Sequence, residues 1–192
     1  MQFIKNVLAL IGLIAIVAIL ALFIKAQSVL AGFDPGARET YSNIAKVLLE
    51  TGNPAEATVW RAKVKDGLTF DDVDQAIRSI ATTMNIKDVG ALPLGDQVSA
   101  MQGAPWRKLK IYLYCNPLTA AHMIDYSDAF AAYLPCRIAL LQDKTGKLWI
   151  YTINMDLLIY GGKPLPPELK EETLKVKKIM QTVLSDGAKG DF

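Results

Sequence analysis

The sequence predicts an α+β domain behind one N-terminal transmembrane helix, its small, mostly antiparallel sheet packed on one face by helices. Two observations predict this. Val7 to Ile24 contains no charged or strongly polar side chain. Beyond Ala57, short alternating runs interleave with helical stripes in the order strand, helix, strand, helix, strand, strand, helix, with one extra short strand besides.

The chain has 192 residues, enough for one ordinary domain plus an appendage. Its hydrophobic share, 52%, is slightly above what such a domain needs, and the excess lies at the N-terminus. A net charge of +2 gives no field that argues for nucleic acid. Two Cys and one His exclude a zinc-type cluster, and no glycine-rich phosphate loop is present.

At 1.5 Å per helical residue, the uncharged run spans roughly 27 Å, close to the hydrocarbon thickness of a bilayer. A helix there pairs its own backbone amides, as lipid requires. Lys5 and the α-amino group precede the run and Lys25 follows it, a slight bias towards an N-in, C-out anchor. Residues 1–31 are therefore expected to be a single-pass anchor in a bacterial inner membrane, with the C-terminal domain in the periplasm. The rival reading is a cleaved signal. Val29-Leu30-Ala31 places small residues at the cleavage positions, and the mature chain would then begin at Gly32.

Residues 32–56 form a linker or stalk. After a Gly/Pro break at Gly32 to Gly36, Ala37 to Glu50 carries Tyr41, Ile44, Val47 and Leu48 on one stripe, and Thr51-Gly52-Asn53-Pro54 stops the helix. The domain is expected over 57–185. Thr58 to Lys65 alternates, with Trp60, Ala62 and Val64 on one face. Thr69 caps a helix with Asp71 and Asp72 in its first turn, and Phe70, Val73, Ile77, Ile80 and Met84 form its apolar stripe. Val89 to Leu94 reads as a short strand broken by Pro93, and Gly95 to Gly103 as a short helix. In Leu109 to Cys115, Leu109, Ile111, Leu113 and Cys115 share a face. Asn116 and Pro117 open a helix that ends before Leu134-Pro135. Arg137 to Gln142 and Lys147 to Ile153 are strands joined by the turn Asp143-Lys144-Thr145-Gly146. A last helix after Pro167 sets Leu169, Val176, Met180 and Val183 inward, and 186–192 reads as a disordered tail.

The chemistry-bearing residues gather in one stretch: Cys115-Asn116-Pro117, His122-Met123, and Pro135-Cys136-Arg137. Three readings stand side by side. A Cys115–Cys136 disulfide suits an oxidising compartment and would close a loop of about 20 residues, worth roughly 3 kcal/mol. Two unpaired thiols packed as small apolar residues fit equally. The third is a haem or copper site drawing on Cys115, His122, Met123 and Cys136, since soft sulfur and imidazole suit both metals. If 117–131 is one helix, Ala120, Ala121, Ile124 and Ala131 cluster on one side. His122 then falls nearer the other, with Thr119 and Tyr126. The lone His sits beside no recognisable nucleophile motif, so no Ser-His-Asp arrangement can be built.

The opening strand with Leu68-Thr69-Phe70-Asp71-Asp72-Val73, then Tyr114-Cys115-Asn116-Pro117, Leu134-Pro135-Cys136-Arg137 and the hairpin, resembles the family catalogued as domain of unknown function 302. The resemblance covers Ala57 to Val183 and implies a compact α+β domain that often pairs into homodimers. It assigns no activity, so it carries over only motif positions: Asn116, Pro117, Pro135, Cys136 and Arg137. The expected role is a non-enzymatic, membrane-anchored periplasmic binding or accessory module, partnered by a larger membrane complex. The alternative is a periplasmic haem- or copper-binding redox protein.

Overall fold

A computed structural model describes residues 2–191. Met1 and Phe192, within the expected anchor and tail, lie outside the described residues. Helix α1 (Gln2–Leu30) carries the apolar run and leads into α2 (Ala37–Thr51) and the short α3 (Pro54–Ala57). The domain follows as β1 (Val59–Lys63), α4 (Phe70–Thr83), β2 (Lys87–Leu92), α5 (Leu94–Gln102), β3 (Leu109–Cys115) and α6 (Pro117–Tyr126). After a 3₁₀ turn at Asp128–Tyr133 come β4 (Cys136–Gln142), β5 (Leu148–Ile153), α7 (Asp156–Tyr160) and α8 (Pro167–Gly187). The five strands form one sheet in the order β1-β5-β4-β3-β2, and every neighbouring pair is antiparallel.

Local chemistry sets several boundaries. Thr69 and Asp72 close a reciprocal capping box on α4: Asp72 N–H donates to Thr69 Oγ1 at 3.2 Å, and Thr69 N–H to the Asp72 carboxylate at 2.8 Å. Gly52 ends α2 in the left-handed conformation, at φ 65°. In the β4–β5 turn, the Asp143 carboxylate accepts from Thr145, the Lys147 N–H and the Trp149 indole. These bonds, the Thr145 hydroxyl foremost, hold Asp143 down at about 2.

Helices α4 and α8 cover one face of the sheet, where Tyr112, Ile138, Leu140 and Ile150 are wholly buried. Leu109, Ile111, Leu113 and Cys115 do share a face, but it is the opposite one, and all four are only half-buried. Tyr112 and Tyr114 occupy the core side of β3 instead. Their polar tips hide the apolar character of that face from an alternation count. The Asp74 carboxylate on α4 accepts the Tyr112 hydroxyl at 2.6 Å, with Lys110 Nζ at 2.9 Å and Arg78 Nε at 3.2 Å.

Burial alone would raise the Asp74 carboxyl, yet the bonds from Tyr112 and Lys110 outweigh it and hold the group below its ordinary 3.8. Its contribution is therefore complete above the unfolded value and disappears as pH falls through the lower folded one. Asp74→Asn is expected to cost about 2 kcal/mol at neutral pH, the loss of charge-assisted bonds to a mostly buried carboxylate. Urea unfolding of the detergent-solubilised chain should show the gap to wild type closing on strong acidification. A gap that stays constant with pH would contradict the assignment.

Three sequence expectations need correction. The helix from Pro117 does not run to Ala131; α6 stops at Tyr126, and Ala131 lies in the 3₁₀ turn. Thr119 and Met123 are the buried residues of α6, whereas Ala120 and Ile124 are half-buried and Ala121 is exposed. Asn154 to Tyr160, read as neither strand nor helix, contains α7, which carries the buried Ile159. The segment after Asp186 is packed at its start. Helix α8 continues through Gly187, Ala188 is buried, and the Ala188 carbonyl accepts from Lys65 N–H at 2.8 Å.

Candidate functional site

The stretch that concentrates both cysteines folds around the end of the sheet where β3 stops and β4 begins. Asn116 caps α6 by accepting from Thr119 N–H at 3.3 Å, and Pro117 takes the first helical position, where a missing N–H costs nothing. The helix then lays Met123 back over the strand ends and leaves His122 on its outer side. Leu134-Pro135 is a cis peptide and delivers Cys136 directly into β4.

Beneath α6 lies a cavity of about 50 Å³. Cys115, Met123, Cys136 and Met155 line it, together with apolar side chains such as Phe130 and Val176. The one inward hydroxyl of α8, on Thr173, already donates to the Leu169 and Lys170 carbonyls of its own helix. Both cysteines are unpaired in this structure, Cys136 buried and Cys115 half-buried. Burial pushes the Cys136 thiol up to about 11 and also raises Cys115, with the nearby Lys87 pulling back on the latter. Neither thiol is therefore an activated nucleophile as it stands.

The structure brings together Cys115, Met123 and Cys136, and it adds Met155, which the sequence did not single out. The signal for Met155 was weak: a methionine two residues past a strand reads as ordinary loop packing. His122 is not part of the cavity. Its ring Nδ1 lies 2.9 Å from Glu172 on α8 at an exposed position, and the hydrogen bond it donates to that carboxylate raises the imidazole above its ordinary value. Among the motif residues, Asn116 touches the cavity mouth, whereas Arg137 is exposed on the far face of the sheet. No group of three His, Cys, Asp or Glu side chains is placed to hold a metal among the described residues.

Fold and site together define the class: a compact five-stranded α+β domain with a sulfur-lined apolar cavity, carried behind a helix long and apolar enough to cross a membrane. More particularly, residues 60–186 match the family described as Domain of unknown function DUF302, and the chain belongs to that family. It is 24% identical over 138 residues to an uncharacterized protein of Aquifex aeolicus (strain VF5), covering 71% of this chain and 88% of that protein. Its fold is similar to the crystal structure of an uncharacterized conserved DUF302 protein from Bacillus stearothermophilus, with a TM-score of 0.54 and 16% identity. That likeness covers 69% of this chain and 98% of the other. Both α1 and α2 lie outside the family match.

Proposed function

We propose that this chain is a non-enzymatic binding module, tethered to a bacterial inner membrane with its domain in the periplasm, and that it serves as an accessory subunit of a larger complex. One contrast carries the reading. The apolar window of α1 has a mean hydropathy of 3.3 and none of it is buried against the fold. A helix of that composition left uncovered in water would be strongly unfavourable, and lipid removes the cost.

The stalk behaves oppositely. Helix α2 packs on α7, and the Tyr41 hydroxyl donates to the Gly161 carbonyl at 2.5 Å. Asp34, just before it, pairs with Lys170 of α8. The tether thus reaches the domain through a docked element. On its outer side α2 presents Leu49, 87% exposed, and Leu48. Uncovered leucines on a membrane-proximal helix suit a protein partner.

Two measurements test this. A phosphatase that works only in the periplasm, fused to the C-terminus, is expected to be active; activity from a cytosolic reporter alone would refute the topology. Extraction in mild detergent followed by sizing is expected to give a particle larger than the single chain, carrying another protein or a second copy. A lone monomer would refute the accessory role.

A further inference from the structure

Four sulfur-bearing residues from different parts of the fold line the cavity: Cys115 ends β3, Cys136 starts β4, Met123 sits on α6 and Met155 precedes α7. Thiolate and thioether sulfur are soft donors that select soft ions, and carboxylate or imidazole donors are missing from the wall. The single histidine of the chain, His122, pairs with Glu172 outside the cavity. The cavity, about 50 Å³, has room for a metal ion.

We propose that this cavity binds a monovalent copper ion through the thiolates of Cys115 and Cys136, with the thioethers of Met123 and Met155 as additional donors. The proposal rests on the reading of the domain as a binding module and names its ligand. Binding replaces two S–H bonds by two Cu–S bonds and releases two protons to solvent. No electron is transferred. The resulting site has one net negative charge. One cation stands close by: Lys87 is the β2 partner of Cys115. A divalent zinc ion would prefer four charged or imidazole donors in a tetrahedron, which this wall does not offer.

The test uses the full chain in detergent, reduced without oxygen and titrated with monovalent copper against the chromogenic chelator bicinchoninate. One equivalent is expected to bind, and more tightly as pH rises because protons are released. X-ray absorption should show sulfur alone in the first shell. The Cys115→Ala/Cys136→Ala variant should retain no copper. Met123→Leu should weaken binding roughly 10- to 100-fold, as loss of a supporting group at a metal does. His122→Ala should change nothing. Nitrogen in the first shell, equal retention by the double variant, or preferential uptake of zinc would overturn the assignment. Should the double variant not fold, Cys115→Ala alone and the absorption spectrum of wild type decide, since Cys115 is only half-buried. Native protein that co-purifies with a partner chain yet takes up no copper overturns the ion and leaves the binding module standing.

Discussion

Ile150→Ala is expected to lower the unfolding free energy by about 4 kcal/mol, near the upper end for truncating a buried isoleucine. Ile150 is wholly buried at the middle of β5, between Ala62 of β1 and Leu140 of β4. Its tip lies in the notch left by Gly187 on α8: a Cβ there would stand 3.3 Å from Ile150 Cδ1 and 3.2 Å from Ile77 Cγ1. Helix and sheet are both regular at this contact, so neither can easily collapse into the vacated space. The lost methylenes therefore leave most of their volume as a void, which adds to the lost transfer energy. Ile150→Val, which removes one methylene, should cost about 1 kcal/mol. Urea unfolding followed by tryptophan fluorescence checks both values, since Trp149 is adjacent in β5. A loss from the alanine variant no larger than that from valine would show that the site repacks.

Asp34→Ala should cost about 3 kcal/mol, and the damage should be local, because it leaves a charged partner behind. Asp34 is 4% exposed. Its carboxylate pairs with Lys170 and accepts Gly36 N–H at 2.9 Å, while its own N–H donates to the Gly162 carbonyl at 2.8 Å. Lys170 lies over the Tyr160 ring, 5.2 Å from its centroid, and keeps that contact without the counter-ion. Burial by itself would raise the Asp34 carboxyl, but Lys170 and the Gly36 amide hold it below the ordinary range. The clamp is thus present above the unfolded carboxyl value and lost as pH falls through the folded one. Hydrogen exchange should show faster amide exchange in α2 and α7, with α4 and the central strands unchanged. Asp34→Ala/Lys170→Met should lose less than Asp34→Ala alone, because no unpaired ammonium remains. Unchanged protection in α2 would mean that the pair does not dock the stalk.

Elements governed by neighbours in sequence were legible without the fold. The α4 capping box needs only Thr69 and Asp72, the β4–β5 turn needs only Asp143 to Gly146, and the α8 stripe recurs every three or four residues. The resemblance to the DUF302 family rested on similarly short motifs, and residues 60–186 bear it out. Misreadings arose where a second element competes. An unbroken helix over 117–131 was a reasonable pattern, but the chain turns at Ser127 to reach the cis Leu134-Pro135 peptide.

The site shows the same division. Sequence clustering picked out Cys115, His122, Met123 and Cys136 together, and only the fold separates His122, on the outer side of α6, from the other three. The alternation in β3 left open which side faces the helices; in the fold Tyr112 and Tyr114 take the covered side, where the Tyr112 hydroxyl donates to Asp74. Met155 entered the cavity wall only because β5 pairs with β4 and brings the start of α7 beneath α6. By itself, then, the sequence determined the long apolar helix, the caps, the turns and most of the strands and helices, since each follows from residues a few positions apart. Only the tertiary structure decided which sheet face is covered, how the stalk docks and which sulfurs meet, because those contacts join residues tens of positions apart and form only when the sheet and its helices close on one core.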